Sequence, residues 1–341
     1  IVLCFALNLE CYVPKTVPNR ARPWNSALTK HLPESYVCIN QILTCQALVT
    51  FEFYKYQACG NDFVLVDLTR TELPLTAERL ESGFWQNQEA MSLVCDRRFG
   101  VGADGVLLLL PPRTESGAFY LHYLNADGGE GSLCGNGSRC AAAFGFSKGY
   151  FGDEKTGVFE ASDGTHRVWR TAEQEFRLSM NKPGTWNVLE VGVFIHTGSP
   201  HLVVQVRDLV NYPVLREGKL LREHALFGSG GTNVNFMEVL DTNRLRVRTY
   251  ERGVENETLS CGTGAVACVL LYMQQKDDVE TIQDFEVLVQ FRGGLMKVGG
   301  QYDGATFTDL YLAGPANGTF KGLWPGIARS SYSWAVETKA V

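Results

Sequence analysis

The chain carries one cysteine signature twice, at a spacing that implies two copies of a single folding unit. Glu130, three residues and Cys134-Gly135-Asn136-Gly137 is matched by Glu257, three residues and Cys261-Gly262-Thr263-Gly264. Two further pairs keep the same order. Gly60-Asn61-Asp62-Phe63 before the apolar 64–66 matches Gly198-Ser199-Pro200-His201 before 202–204. Gly100-Val101-Gly102-Ala103-Asp104 before 106–110 matches Gly228-Ser229-Gly230-Gly231-Thr232-Asn233 before 234–239. Repeats of this kind decide architecture before any local reading does. They divide the chain into halves of about 51–182 and 183–320, with Lys182-Pro183-Gly184 as the breaker at the join.

Each Cys-Gly-x-Gly runs into a helical stretch. Residues 138–148 are Ala-rich and stop at Gly149; residues 265–276 are apolar with a basic end. Short strand patterns at 119–125, 167–171, 176–180, 245–250, 285–291 and 306–312 are separated by turn residues. The fold class expected is α/β (α+β): two similar sheet-rich halves, each wrapped on one central helix, with a cleft between them.

Bulk properties exclude other classes. At 341 residues, 45% hydrophobic and 20% charged, the chain is long enough for two cores. A net charge of −6 without a dense basic cluster argues against a nucleic-acid partner. The longest apolar run, 106–110, is too short to span a bilayer, so no membrane partner is expected. Ten cysteines do not make a disulfide scaffold in a chain that can build a core, and free thiols in the cytoplasm are expected. Cys4, Cys11, Cys38 and Cys45 are spaced too widely for a zinc pattern. Residues 1–50 are expected to be an extension outside the folded unit, and 321–341 a tail.

The repeated motif carries the chemistry. A cysteine at a helix N-terminus meets unpaired N–H groups and a partial positive charge. Its thiol pKa is then expected to move down from about 8.5 toward neutrality. The same N–H groups bind a carboxylate, with glycines allowing close approach. Two such sites facing each other hold an amino-acid α-carbon between two sulfurs. One thiolate removes the proton and the opposite thiol returns one, without need of a metal or other cofactor. A lone buried cysteine is usually an inert small hydrophobe, but two at equivalent repeat positions favour a role for Cys134 and Cys261. Cys140 and Cys268, inside the helices, and Cys95 are read as core, and Cys59 has no assigned role.

With these residues in view, a resemblance is plain. Gly60-Asn61-Asp62-Phe63, Asn125-Ala126-Asp127-Gly128, Cys134-Gly135-Asn136-Gly137-Ser138-Arg139-Cys140, Tyr250-Glu251-Arg252-Gly253 and Cys261-Gly262-Thr263-Gly264-Ala265 resemble the diaminopimelate epimerase family over about 53–320. The resemblance implies conversion of LL-2,6-diaminopimelate to the meso form, in lysine and cell-wall precursor synthesis. It implies two pseudo-symmetric domains, each a barrel-like sheet around a helix, with the site between them. In that fold a last strand can return to the first domain, giving 51–182, 183–305 and a returning 306–320. It gives Cys134 and Cys261 the two base roles. Gly135, Asn136, Gly262 and Thr263 would then serve the reacting carboxylate. Asn61, Asn125, Ser199, Asn233, Glu251 and Arg252 would grip the substrate, with His201 in support. An Arg fork suits a second carboxylate, and Asn and Glu accept from an ammonium.

Three departures bear on the far end of the substrate. Ser199 replaces a common Asn, Gly105 stands where an amide side chain is frequent, and one residue is inserted between Gly253 and Glu257. Asn61 and Asn125 have turn-forming as the bland alternative, Glu251-Arg252 a solvated pair, and His201 a structural role. Rival functions are a two-cysteine racemase of proline or hydroxyproline, a cysteine hydrolase using His201, and a non-catalytic binding protein. A small-molecule amino acid is the partner expected, and a homodimer is left open. The two-base reading predicts that turnover in heavy water labels the product at the α-carbon. It also predicts that complete thiol alkylation abolishes activity, and unchanged turnover after alkylation contradicts it.

Overall fold

Short apolar alternations closed by tight turns make most of this chain a strand former. The computed structural model describes residues 50–69, 83–131, 133–184, 186–276 and 281–325, and joins seventeen strands into one continuous sheet. The extension read at 1–50 and the end of the tail lie almost wholly outside the described residues. In the first half the strands are β1 (Phe51–Ala58), β2 (Asn61–Asp67), β3 (Gly105–Leu110), β4 (Tyr120–Asn125), β5 (Thr156–Ala161), β6 (Gly164–Ala172) and β7 (Glu175–Ser179). In the second they are β8 (Trp186–Leu189), β9 (Gly192–His196), β10 (Pro200–Gln205), β11 (Asn233–Asp241), β12 (Arg244–Glu251), β13 (Asn256–Thr258), β14 (Gln283–Phe291) and β15 (Gly294–Tyr302). Two more, β16 (Phe307–Pro315) and β17 (Asn317–Trp324), complete the sheet. The helices are α1 (Gln88–Cys95), α2 (Gly135–Ser147), α3 (Val214–Arg222) and α4 (Gly262–Gln274).

The internal repeat of the sequence reappears as a repeat of strand pairing. β1–β2 is antiparallel, β2–β3 parallel, β3–β4 antiparallel, β4–β5 parallel, and β5–β6 and β6–β7 antiparallel. The same sequence of pairings runs through β9–β10, β10–β11, β11–β12, β12–β14, β14–β15 and β15–β16. Parallel neighbours need a crossover, and α1 and α3 supply it at equivalent places. The chain is therefore α+β, with two pseudo-symmetric halves, each a barrel-like sheet about one helix. Among the described residues no helix is long and apolar enough to cross a membrane.

Both central helices are enclosed by strands, and past their first turns, over 140–146 and 265–273, they are apolar on every side but the Tyr272 hydroxyl. Helix α2 packs on β1, β2, β3, β4, β6, β7, β16 and β17, and α4 on β9, β10, β11, β12 and β15. Every residue from Ala265 to Leu270 is at most 1% exposed. Full burial of one Val or Leu side chain stabilises by about 1.5–3 kcal/mol, so α4 anchors its half. Cys140 and Cys268 are buried in these cores, and Cys95 in a third cluster where α1 packs on the sheet. Both helices begin three residues earlier than Ser138 and Ala265, because each cysteine takes the extended conformation of an N-cap. The glycines that follow thereby form the first helical turn.

The end of the chain differs from the sequence reading. Two strands stand where one was read at 306–320, and the second runs to Trp324, into the stretch read as tail. Pro315 has no N–H to continue a ladder, which ends β16. Strand β16 pairs with β15 on one side and β7 on the other, so it joins the halves, while β17 pairs with β1. Leu312 of β16, wholly buried, reaches the starts of both helices. A methyl placed on Gly135 or Gly262 would lie 2.8 or 2.7 Å from its Cδ2. Leu312→Ala is expected to lower stability by about 2–5 kcal/mol, read as the shift of a denaturation midpoint. A loss below that range would mean Leu312 is not a keystone of the seam.

Candidate active site

The two cysteine helices meet end to end. A Cβ built on Gly262 would lie 3.5 Å from Gly135 Cα and 3.8 Å from Asn136 N, so the first turns touch. Side chains at either glycine would separate them. Cys134 and Cys261, each the N-cap of its helix, therefore border one site at the junction of the halves, and both thiols are free. The Gly137 N–H donates to Cys134 Sγ at 3.5 Å, and Asn61 Oδ1 lies 3.6 Å from that sulfur. Cys261 Sγ lies 3.7 Å from Thr263 Oγ1.

The expected lowering of the thiol pKa is not what the structure gives. Burial raises Cys134 to about 11, with the charge of Glu251 adding to it against the N–H groups of Gly137 and Asn136. Burial likewise holds Cys261 well above its ordinary value, again with Glu251 adding. Burial alone can move a pKa by 3–5 units, whereas a helix end contributes at most about 2 kcal/mol. Desolvation outweighs the helix ends and favours the thiol at both sulfurs.

Around Cys134 the amides form a fixed set. Asn61 donates to Asp104 Oδ2 at 2.8 Å, which in turn ties Arg97. Asn136 donates to Asn61 Oδ1 at 3.2 Å and to Ser260 Oγ at 3.1 Å across the seam. Its own oxygen accepts from Arg139 at 2.6 Å. The Asn136 side chain is thus committed within the protein, leaving its main-chain N–H as the group available at the helix start. Asn125 donates to Glu130 O at 3.3 Å.

Around Cys261 a buried chain of hydrogen bonds runs inward. Thr249 Oγ1 donates to Asn235 Oδ1 at 2.9 Å, and Asn235 Nδ2 meets His201 Nδ1 at 3.0 Å. That makes Nδ1 the acceptor and leaves the proton on Nε2. Nε2 lies 2.9 Å from both Ser199 Oγ and Thr263 Oγ1. Burial lowers His201 to about 3, so it stays neutral and orients the Thr263 hydroxyl beside Cys261. Ser199, although shorter than Asn, also accepts from Asn233 Nδ2 at 3.2 Å.

At the far side, Asn233 Oδ1 accepts from Arg252 N at 2.9 Å. The Arg252 guanidinium pairs with no carboxylate among the described residues; its only contact there is Gly230 O at 3.5 Å. The inserted stretch is absorbed by a turn in which Glu255 takes a left-handed φ of 55° and pairs with Arg222. Burial raises Glu251 to about 7, opposed by the nearby Thr258 hydroxyl and assisted by the charge of Asp104.

The structure therefore gathers Cys134, Cys261, Gly135, Asn136, Gly262, Thr263, Asn61, Ser199, Asn233 and His201 into linked networks at the seam. Sequence reasoning assigned no role to Asp104, Arg139, Asn235, Thr249 or Ser260. Asn235 was findable, being two residues from Asn233 and so on the same strand face. Arg139 was not, since a fully buried guanidinium reads from sequence as surface.

Glu251 gives a signed pH prediction. Its folded pKa exceeds the unfolded value of 4.5, so wild-type stability falls as pH rises from there through about 7. Glu251→Gln is expected to raise the thermal midpoint at pH 8 and to leave it unchanged at pH 4. Loss of that charge should also speed thiol alkylation at pH 8 by about threefold or more. Equal alkylation rates would contradict the electrostatic link between Glu251 and the thiols.

Comparison with known proteins agrees with this geometry. The family model for diaminopimelate epimerase matches residues 53–183 and 193–318. A diaminopimelate epimerase of Flavobacterium psychrophilum is 36% identical over 270 residues, covering 79% of this chain and 98% of the relative. One from Aquifex aeolicus is 39% identical over 230 residues, covering 64% and 80%. Among solved structures, a Bacillus anthracis phenazine biosynthesis protein of the PhzF family has a TM-score of 0.61 at 15% identity, covering 81% of this chain and 99% of that one. A hydroxyproline epimerase from Agrobacterium vitis has a TM-score of 0.59 at 16% identity, covering 85% and 98%. These last two likenesses concern the fold. By its family-model match and its relatives, this chain belongs to the diaminopimelate epimerase family.

Proposed function

We propose that this chain converts LL-2,6-diaminopimelate to the meso form by two-base proton transfer between Cys134 and Cys261. The observation that supports the reading is the contact of Gly135 with Gly262, because the helices whose first turns touch are the two that Cys134 and Cys261 cap. The reacting carboxylate sits on the main-chain N–H groups of the two helix starts, where developing negative charge is stabilised. Asn61, Asn125, Ser199, Asn233, Glu251 and Arg252 bind the rest of the substrate, and His201 acts through Thr263. Arg252 as an unpaired fork suits the distal carboxylate, and Glu251 the distal ammonium.

The raised thiol pKa values become part of the mechanism. Burial and the charge of Glu251 disfavour a thiolate at both positions. The substrate brings two ammonium groups, one of which offsets Glu251 while the other lies near the sulfurs. One thiol gives up its proton to solvent as the substrate's ammonium groups enter, so thiolate formation is coupled to binding. The thiolate takes the α-proton and becomes a thiol. The carbanion, its charge delocalised into the carboxylate, takes a proton from the opposite thiol, which is left as thiolate. Charge and protons balance, and the reverse reaction uses the same groups exchanged.

In this reading the domains run 51–182 and 183–305, with the returning strands joining the first. The enzyme works in the cytoplasm on a free amino acid, and homodimeric assembly belongs to the same proposal. Arg252 and Glu251 favour a substrate charged at both ends over proline or hydroxyproline.

Purified full-length protein should epimerise diaminopimelate with α-deuterium incorporation, and proline and hydroxyproline should turn over far more slowly. Cys134→Ala and Cys261→Ala should each lower kcat by about 10³-fold or more. Full activity in either variant would remove the two-base scheme, and faster proline turnover would move the assignment to the single-centre racemases.

A further inference from the structure

The wall of the cleft between Asn125 and Cys134 holds a side chain with no role so far, Tyr123. Strand register places Gly105 opposite Asn125 and Leu107 opposite Tyr123, while Phe63 pairs with Gly105. Tyr123 therefore shares the inward face with Asn125, two residues away, and with Phe63, whose ring it meets at 6.0 Å. Together with Cys134 it lines a small cavity beneath the site.

Its ring is held by the absence of two side chains. A Cβ on Gly105 would fall 2.6 Å from Tyr123 Cε2 and 3.2 Å from its hydroxyl. A Cβ on Gly131 would fall 2.3 Å from Cδ1. Any larger residue at either position would displace the phenol, so both glycines make its present orientation possible. The hydroxyl forms no hydrogen bond among the described residues. A partly buried phenol without a partner usually implies a ligand or a water.

We propose that the Tyr123 hydroxyl donates a hydrogen bond to the distal carboxylate of the substrate, taking the place at this wall that Gly105 leaves empty. The proposal rests on the diaminopimelate reading. The charge pattern decides between the two distal groups. Glu251 is an acceptor suited to an ammonium, whereas a carboxylate needs donors, of which Arg252 is one. Burial, and the negative potential of Glu251 and Asp104, keep the phenol protonated and so a donor.

The test is Tyr123→Phe in the full-length enzyme, which keeps the ring in its slot and removes only the hydroxyl. KM for diaminopimelate should rise about tenfold with kcat changed little, the size expected for one lost hydrogen bond to a charged group. Equilibrium binding in a Cys261→Ala background supplies the second measurement. There Tyr123→Phe should weaken diaminopimelate and leave L-lysine, which lacks the distal carboxylate, unchanged. An unaltered KM, or equal weakening of both ligands, would overturn the assignment. Inactivity of the wild type on diaminopimelate would instead sink the functional reading itself, so the two failures are distinguishable.

Discussion

Two helix N-termini pointed at the same small volume form an electrostatically unfavourable arrangement unless something negative lies between them. The partial positive charges at the starts of α2 and α4 repel, and their unpaired N–H groups lack partners. The fold accepts this because Leu312 wedges beneath Gly135 and Gly262 and because two barrels enclose the helices tightly. A carboxylate bound there, as the proposed function requires, would relieve the repulsion.

Burial sets the second constraint. Packing the helices inside sheets desolvates the thiols that cap them, and that outweighs the dipole. In the proposed mechanism the thiolate therefore forms with what a substrate adds. A charged ligand with ammonium groups alters the local balance more than the peptide dipoles do. Reactive thiolates would also be open to oxidation, and a site that keeps its sulfurs protonated until occupied avoids that exposure.

The polar shell follows the same economy of satisfied groups. Asn136 is held by Arg139, Asn61 and Ser260, and His201 by Asn235, Thr263 and Ser199, so the donors at the helix starts cannot swing away. Ser260 couples the second half to an amide of the first. In a low-dielectric seam the loss of Arg139, Asn235 or Ser260 leaves these neighbours unpaired.

Much of this architecture was legible from residues alone. The duplicated Cys-Gly-x-Gly, with alanines and aliphatics behind it, determined two equivalent helices with cysteines at their starts, because capping and periodicity are local properties. The strand runs were equally local. The boundary of the last strands was missed because pairing of β17 with β1 joins residues far apart in sequence, which no window can see. Tertiary structure alone decided the direction of the thiol pKa shifts, the burial of Arg139 and the meeting of Gly135 with Gly262. Each depends on which surfaces are removed from water when distant segments close on one another, and a sequence lists neighbours along the chain, not across it.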